Sequence, residues 1–416
     1  MGRLKFKFNE MFIDPKTGGV YDDFEAPKEV DTKYFGKVTL HRIAKIRYKE
    51  VKVKEKQIEI DKEGKVIEGK DKEITVLQET RGDMGGWIES TGNLSQDGEC
   101  WVHPNGIVCG SAFVCDDAQI IGGQVGESAR VGDEAKINGN KNMGVGGCAY
   151  VFGKATVGGN ERMAVSGTAK VEGTVSQKAE VSGSAYVGPD GTVKDNAKVS
   201  GDCLIMGTVK DKATVSGASI VYGTVKDNAS ISGATVVMPE ATVKDKANLI
   251  DTIVEGSVGG DTVSTKGQAF VGKDASVSGA SSLSDNAVVE GSVSESSVSG
   301  NGNVGEGGTL EKSSLEGNGS ANGSISKSSI TKGALVIGSL TSGGASDGSR
   351  IGEKGAVSKV QIEDSANVDG TAQKGATGNA VIPSGKSAPC AMADNWVYES
   401  GEQPEGGGVI VAIEKE

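Results

Sequence analysis

Few residues in this chain are of a type and spacing that could do chemistry. Its two histidines, His41 and His103, are the natural general bases, because unperturbed imidazole titrates near neutral pH. The stretch AVIPSGKS, Ala380 to Ser387, fits a permissive phosphate-loop pattern ending in Gly385, Lys386 and Ser387. A working phosphate loop needs a strand before it and a helix after it, so that amides and helix dipole face the phosphates. Here APCAMADNW follows, with Pro389 two residues on and no long amphipathic run, and the match reads as chance. Gly300, Gly302 and Gly305 spell GxGxxG, which carries no weight in a chain with 64 glycines. The six cysteines, Cys100, Cys109, Cys115, Cys148, Cys203 and Cys390, include no CxxC pair. With only two histidines they offer no zinc set of common spacing, and they read as reduced thiols of a cytosolic protein. No catalytic residue, metal or cofactor is expected.

Lysine and aspartate, by contrast, recur together. The phrase GTVKD begins at Gly191, Gly207 and Gly223, sixteen residues apart, and ATVKD begins at Ala241. If the phrase marks one place in a stacked repeat, Asp195, Asp211, Asp227 and Asp245 form a row. Lys194, Lys210, Lys226 and Lys244 form a second row beside it, and Thr192, Thr208, Thr224 and Thr242 a third. A row of one sign repels itself at about 4.8 Å, and a neighbouring row of the other sign offsets that. The Lys–Asp strip is thus a candidate interaction ladder, for docking a partner or aligning cations, set against the plainer reading of a solvated, self-neutralising face. One threonine row falls short of the two-row plane ice binding would want. Paired carboxylates for polysaccharide cleavage would want aromatic platforms. Past Trp101 the repeats offer only Phe113, Tyr150, Phe152, Tyr186, Tyr222 and Phe270.

The elements that must position these rows follow from composition and period. The chain has 416 residues, about twice the usual share of glycine, and only 4% aromatics. That leaves either a disordered Gly/Ser chain or a repeat fold with a thin core of small and β-branched residues. Regular apolar spacing favours the repeat. From Val102 a period of six runs through Val108, Val114 and Ile120, then Val131 and Ile137, then Val145, Val151 and Val157. Two residues before many of these sits a small one: Cys100, Gly106, Ala112, Ala118, Ala129, Ala135, Ala149. Six residues with two inward positions suit a short strand plus a corner, three to a triangular coil of about eighteen residues. Val175, Val181, Val187 and Val193 trace one such coil, Val193, Val209 and Val225 step by sixteen, and Pro239–Glu240 restores eighteen at Val243. The sixteen-residue step predicts a tighter or skewed triangle. Residues 290–380 are Ser/Gly-rich and could be read as a linker, but they keep Val, Leu and Ile in step, so coils are expected to continue. The all-β expectation is a single-stranded parallel β-helix over 93–383 of about seventeen coils. A β-rich N-terminal head over 1–92 would precede it, with a charged hairpin insertion near 48–77 whose turn is DKEGK, and a C-terminal cap over 384–416 would follow, carrying Trp396, Tyr398 and VIVAI.

The junction GDMGGWIESTGNLSQDGECWVHPNGIVCGSAFV, beginning at Gly82, resembles the YdcK-like hexapeptide-repeat proteins of enterobacteria and their phage and prophage relatives. Gly82, Asp83, Gly85, Gly86, Trp87, Ile88 and Glu89 match one motif, and Asn93, Leu94, Ser95, Gly98, Cys100, Trp101 and Val102 the next. The match covers about 40–120 and is generic over the repeats. It implies a left-handed helix of the hexapeptide-transferase superfamily, a hand that spacing alone does not fix, and brings no activity with it. Acyltransferases of that superfamily use a coil-borne histidine as general base. His103 is the one histidine of the repeats, stands beside Pro104, and no long protruding loop accompanies it, so it reads as a surface corner residue.

The charge is −12 overall but uneven, with 19 basic and 16 acidic residues in 1–81 and 25 against 40 in the remainder. An acidic body without a long basic stripe disfavours nucleic-acid binding. No apolar run reaches membrane-spanning length, and the N-terminus lacks a signal h-region. The expectation is a non-enzymatic structural and binding protein in the cytoplasm of a bacterial host or incorporated in a virion. It would serve as rigid spacer and interaction surface for a protein partner, with no membrane and no nucleic acid. Analogy with the superfamily, which often packs three prisms side by side, suggests a homotrimer. The alternatives are a hexapeptide-type acyltransferase and an acidic decoy of a host factor.

Overall fold

The computed structural model describes residues 4–12, 21, 25–32, 34–60, 66–159, 163–295, 297–299, 302–305 and 308–311, then short segments between 314 and 414. They form two compact units, Met1–Glu172 and Gly173–Glu416.

In the first unit, β1 (Phe6–Phe8), β2 (Lys28–Thr32), β3 (Gly36–Ile60) and β4 (Val66–Ile88) precede the first coil, which opens with β5 (Trp101–Val108). β3 and β4 form the long antiparallel ribbon expected of the charged hairpin, pairing from His41–Ile88 out to Ile60–Val66. Its turn, DKEGK, lies outside the described residues. Trp87 and Ile88 of β4 pair in parallel with Ile107 and Val108 of β5, so the ribbon runs onto the first coil. Coils of twenty residues follow: Val125 pairs with Val145, Val131 with Val151, and Ile137 with Val157.

The second unit is the regular part of a parallel β-solenoid. Three faces repeat. On the first, Val175, Val193, Val209, Val225, Val243, Val258, Val277 and Val293 stack inward. On the second, Val181, Val199, Val215, Ile231, Leu249, Thr265, Leu283 and Val298 do so, and on the third Val187, Ile205, Val221, Val237, Val254, Val271, Val289 and Val304. All are at most 1% exposed. Alternate amides hold coil to coil: Thr192, Lys194, Asn196, Lys198, Ser200, Asp202, Leu204 and Met206 donate in turn to carbonyls of the next coil at 2.7–3.0 Å. The small inward positions are buried as the period implied, and several carry hydroxyls. Before the third face Ser219 and Thr235 donate to the carbonyls of Ser216 and Ser232 at 2.7 Å and Thr252 to that of Ile250 at 3.0 Å, and before the second face Ser281 donates to the Ser278 carbonyl at 2.6 Å, so each of these buried hydroxyls has an acceptor.

Among the described residues the solenoid comes to about twelve turns, not about seventeen. The larger figure counted coils continuing to residue 383, whereas beyond Ser314 the described segments are discontinuous, and several early coils take twenty residues. Of the expected cap, Trp396–Glu399 pairs antiparallel with Val411–Glu414, and the rest lies outside the described residues.

The sixteen-residue step is not a uniformly tighter triangle. The intervals Val193 to Val199 and Val199 to Ile205 stay at six, and both missing residues come from the corner between third and first faces. Where a full coil has Gly188–Pro189–Asp190–Gly191 or Met238–Pro239–Glu240–Ala241, the short ones have Met206–Gly207 or Tyr222–Gly223. Gly256 and Gly291 take the same place at Glu255–Gly256 and Glu290–Gly291. Glycine is required there by close approach: a Cβ on Gly223 would collide with the carbonyl oxygens of Met238 and Ala241 in the coil above. Gly223→Ala is expected to cost about 1–3 kcal/mol, measured by chemical denaturation. A loss below ~0.5 kcal/mol would mean the corner tolerates a side chain.

Candidate interaction surfaces

The junction motif is the N-terminal seal of the solenoid. Asn93, 1% exposed, donates through Nδ2 to the carbonyls of Gly110 and Ala112, each at 2.9 Å, while its Oδ1 accepts from the Ser90 amide at 2.8 Å. Leu94 bridges to Val114, and the Ser95 amide donates to the Val114 carbonyl at 2.8 Å. Gly85 and Gly86 let β4 lie flat on β5: a Cβ on Gly85 would meet the Trp101 ring at 2.6 Å, and one on Gly86 the His103 and Gly106 carbonyls. Cys100 and Trp101 are buried, and their amides donate to Asp116 and Ala118 carbonyls at 2.8 and 2.9 Å. Lys5 covers the open coil edge, its Nζ donating to the carbonyls of Gly98 and Cys100 at 3.2 and 3.0 Å. Trp87 packs with Leu40 and Cys109, and Lys28 Nζ sits 3.5 Å from its ring centroid. A cleft of about 480 Å³ opens beside it, lined by Lys28, Trp87, Asn105 and Lys141. These residues end a sheet edge that would otherwise present unpaired backbone groups.

The Lys–Asp strip forms as the repeat implied, but its aspartates are corner residues. Asp195, Asp211, Asp227 and Asp245 all adopt left-handed backbone, φ 64°, 62°, 61° and 60°. Aspartate tolerates that region better than most residues, because its short polar side chain bonds locally. Each carboxylate then reaches along the stack: Asp195 Oδ2 accepts from the Asp211 amide, Asp211 from Asp227, and Asp227 from Asp245, each at 3.3 Å. Lys194, Lys210, Lys226 and Lys244 flank them, half-buried, on the outer side of the first face, across from the row Thr192, Thr208, Thr224 and Thr242. The motif turns the chain at the corner and leaves a row of linked carboxylates there.

The third face carries something the period-six reading passed over. The residue before each inward one points outward, and here it is apolar in seven successive coils. Tyr186 pairs with Leu204, Leu204 with Ile220, Ile220 with Val236, Val236 with Ile253, Ile253 with Phe270, and Phe270 with Val288. Beside them, two residues on, stand Met206, Tyr222 and Met238, then Glu255, Gly272 and Glu290. Ile253 is 43% and Tyr222 42% exposed, and the others of the row are half-buried by their neighbours along it. The signal was present as apolar doublets, Leu204–Ile205, Ile220–Val221, Val236–Val237, Ile253–Val254, Phe270–Val271 and Val288–Val289. A solenoid needs only the second member of each. The matching outward rows of the other faces are Thr and Ser on the first and Glu, Lys, Thr, Ser and Asn on the second.

Of the histidines, His41 Nδ1 pairs with Glu10, and His103 Nε2 lies 3.0 Å from Gln119 Oε1 one coil on. The Gly385, Lys386 and Ser387 stretch and Cys390 lie outside the described residues. Among the described residues no group of three or more His, Cys, Asp or Glu side chains could hold a metal ion, and no helix is long and apolar enough to cross a membrane. Cys100, Cys109, Cys115 and Cys203 are buried free thiols, and Cys148 is exposed. Burial pushes Cys109 up to about 12 and Cys115 up to about 11, and raises Cys100 and Cys203 above the ordinary 9.0. The class of protein that fold and surfaces define is a parallel β-solenoid. No family model and no curated protein matches the chain.

Two outcomes are expected. Asp211→Ala loses both the left-handed preference and the bond to Asp227, costing about 1–2 kcal/mol, whereas Asp211→Asn keeps both and costs little. Equal losses in urea titrations would show that charge rather than geometry matters. Thiol-specific labelling of the native chain at pH 8 should modify Cys148 and spare Cys100, Cys109, Cys115 and Cys203. Because the folded thiols hold protons that unfolded ones release, stability contributed by Cys109 and Cys115 is complete below pH 9 and declines from there towards 11–12.

Proposed function

We propose that this protein is a non-enzymatic scaffold, a rigid β-solenoid spacer whose outer faces bind protein. The observation that carries the reading is the division of labour among its residues. The inward positions close the core, the corner residues close the backbone, and what varies from face to face is the outward row. The polar residues picked out from sequence are engaged in folding: Asn93 in the junction, the aspartates in the corners, His103 with Gln119. The resemblance of the junction to YdcK-like and prophage proteins supports a phage- or prophage-associated role in a bacterial cytoplasm or a virion. The β1–β4 region would attach to a partner and the solenoid would display binding surface.

The test is recovery of the tagged full-length chain from cells in which it is expressed or infection is under way, with identification of stoichiometric partners by mass spectrometry. Virion or assembly proteins are the expected result. A host nuclease or other host enzyme, inhibited on binding, would establish the decoy reading instead. Turnover of acyl-CoA donors, lost in His103→Ala, would replace the scaffold with an acyltransferase.

A further inference from the structure

We propose that the third face of the second unit is a self-association surface, on which a second copy of this chain packs face to face and antiparallel. The proposal rests on the scaffold reading and names one of the partners that scaffold binds.

The observation is a flat apolar ladder with one rung per coil: Tyr186, Leu204, Ile220, Val236, Ile253, Phe270 and Val288, continued by Asn303. Eight rungs at ~4.8 Å span about 34 Å, and one side of a coil about 18 Å, giving roughly 600 Å² per copy. Two copies would bury roughly 1,200 Å², the lower edge of the range for stable specific interfaces. Glu255, Glu290 and Asn303 share this face, but the apolar part, seven rungs with Met206, Tyr222 and Met238 beside them, is contiguous, whereas exposed hydrophobic residues on isolated soluble chains are mostly scattered singly. A ladder with fixed rise finds the same rise in another copy of itself, so every rung can be matched at once.

Size and charge choose between the two ways of facing identical ladders. In the parallel arrangement, overlaying both outward rows of the two copies makes each rung residue face the partner residue two positions on. Ile253 would then meet Glu255 and Val288 would meet Glu290, burying carboxylates against hydrocarbon. In the antiparallel arrangement the two-fold axis passes at Val236, and the rung rows face each other. Tyr186 meets Val288, Leu204 meets Phe270, Ile220 meets Ile253, and Val236 meets itself. The flanking row matches as well: Met206 lies over the space left by Gly272, the Tyr222 phenol can donate to the Glu255 carboxylate, and Glu290 falls opposite Gly188. The isologous pairing is self-complementary, as a two-fold interface must be.

Sedimentation velocity of the full-length chain from 1 to 100 µM reads the association directly. A dimer is expected, and a monomer throughout, a parallel trimer or a higher assembly would overturn the proposal. Val236→Glu puts two carboxylates at the axis and should raise the dimer dissociation constant about a hundredfold or more. Its thermal midpoint and β-sheet circular dichroism, read under monomeric conditions, should match those of the parent, because position 236 points out of the coil. An undiminished dimer would sink the idea. Leu204→Cys and Phe270→Cys chains, mixed and oxidised, should cross-link to one another beyond the level of the unsubstituted chain. In the parallel arrangement these positions stand four rungs apart, so a dimer lacking the cross-link excludes the antiparallel face. A monomer that still retains its partner protein would end this proposal and leave the scaffold standing, while a dimer with no other partner would do the reverse.

Discussion

The structure depends on one constraint: successive coils must lie at hydrogen-bonding distance over their whole circumference. From Thr192 to Met206 alternate amides are spent on the coil above, and a strand two residues long has no stability without that neighbour. The small inward residues, the valine columns and the glycine corners all follow. Each keeps the backbone of one coil within about 4.8 Å of the next.

The corners show how the constraint absorbs variation in sequence. Two residues disappear at Met206–Gly207 and Tyr222–Gly223, yet the three faces stay in register because the loss is confined to one vertex. Glycine permits it by having no side chain to strike the carbonyls above. At another vertex an aspartate in left-handed backbone turns the chain and ties its carboxylate to the following amide. The N-terminal edge is closed by Asn93, Lys5 and the Trp87–Trp101 region instead of by another coil.

What the constraint leaves undetermined is the outward row. On the first and second faces that row is mostly hydroxyl, amide and lysine, which water solvates at no cost to the fold. On the third it is apolar through seven rungs, exposed at Ile253, with Tyr222 exposed beside it. Nothing in the closing of the coil requires this, since only the inward member of each doublet fills the core.

By itself, the sequence determined the kind of fold. Branched apolar residues every six positions, each following a small one, admit a stacked three-sided coil and little else, and the long charged hairpin was visible from its strands and turn. It also indicated which aspartates and lysines would align, since identical phrases at a fixed interval must superpose. Tertiary structure decided where the two missing residues of a sixteen-residue coil come from, that the aspartates are engaged along the stack, and that His103 is held by Gln119. It also gave about twelve turns among the described residues in place of about seventeen, because the described coils do not continue unbroken to residue 383. The apolar face was written in the doublets but could not be recognised as a surface until pairing fixed which member of each points outward. In a strand one residue separates core from solvent, and only the register of neighbouring coils says which is which.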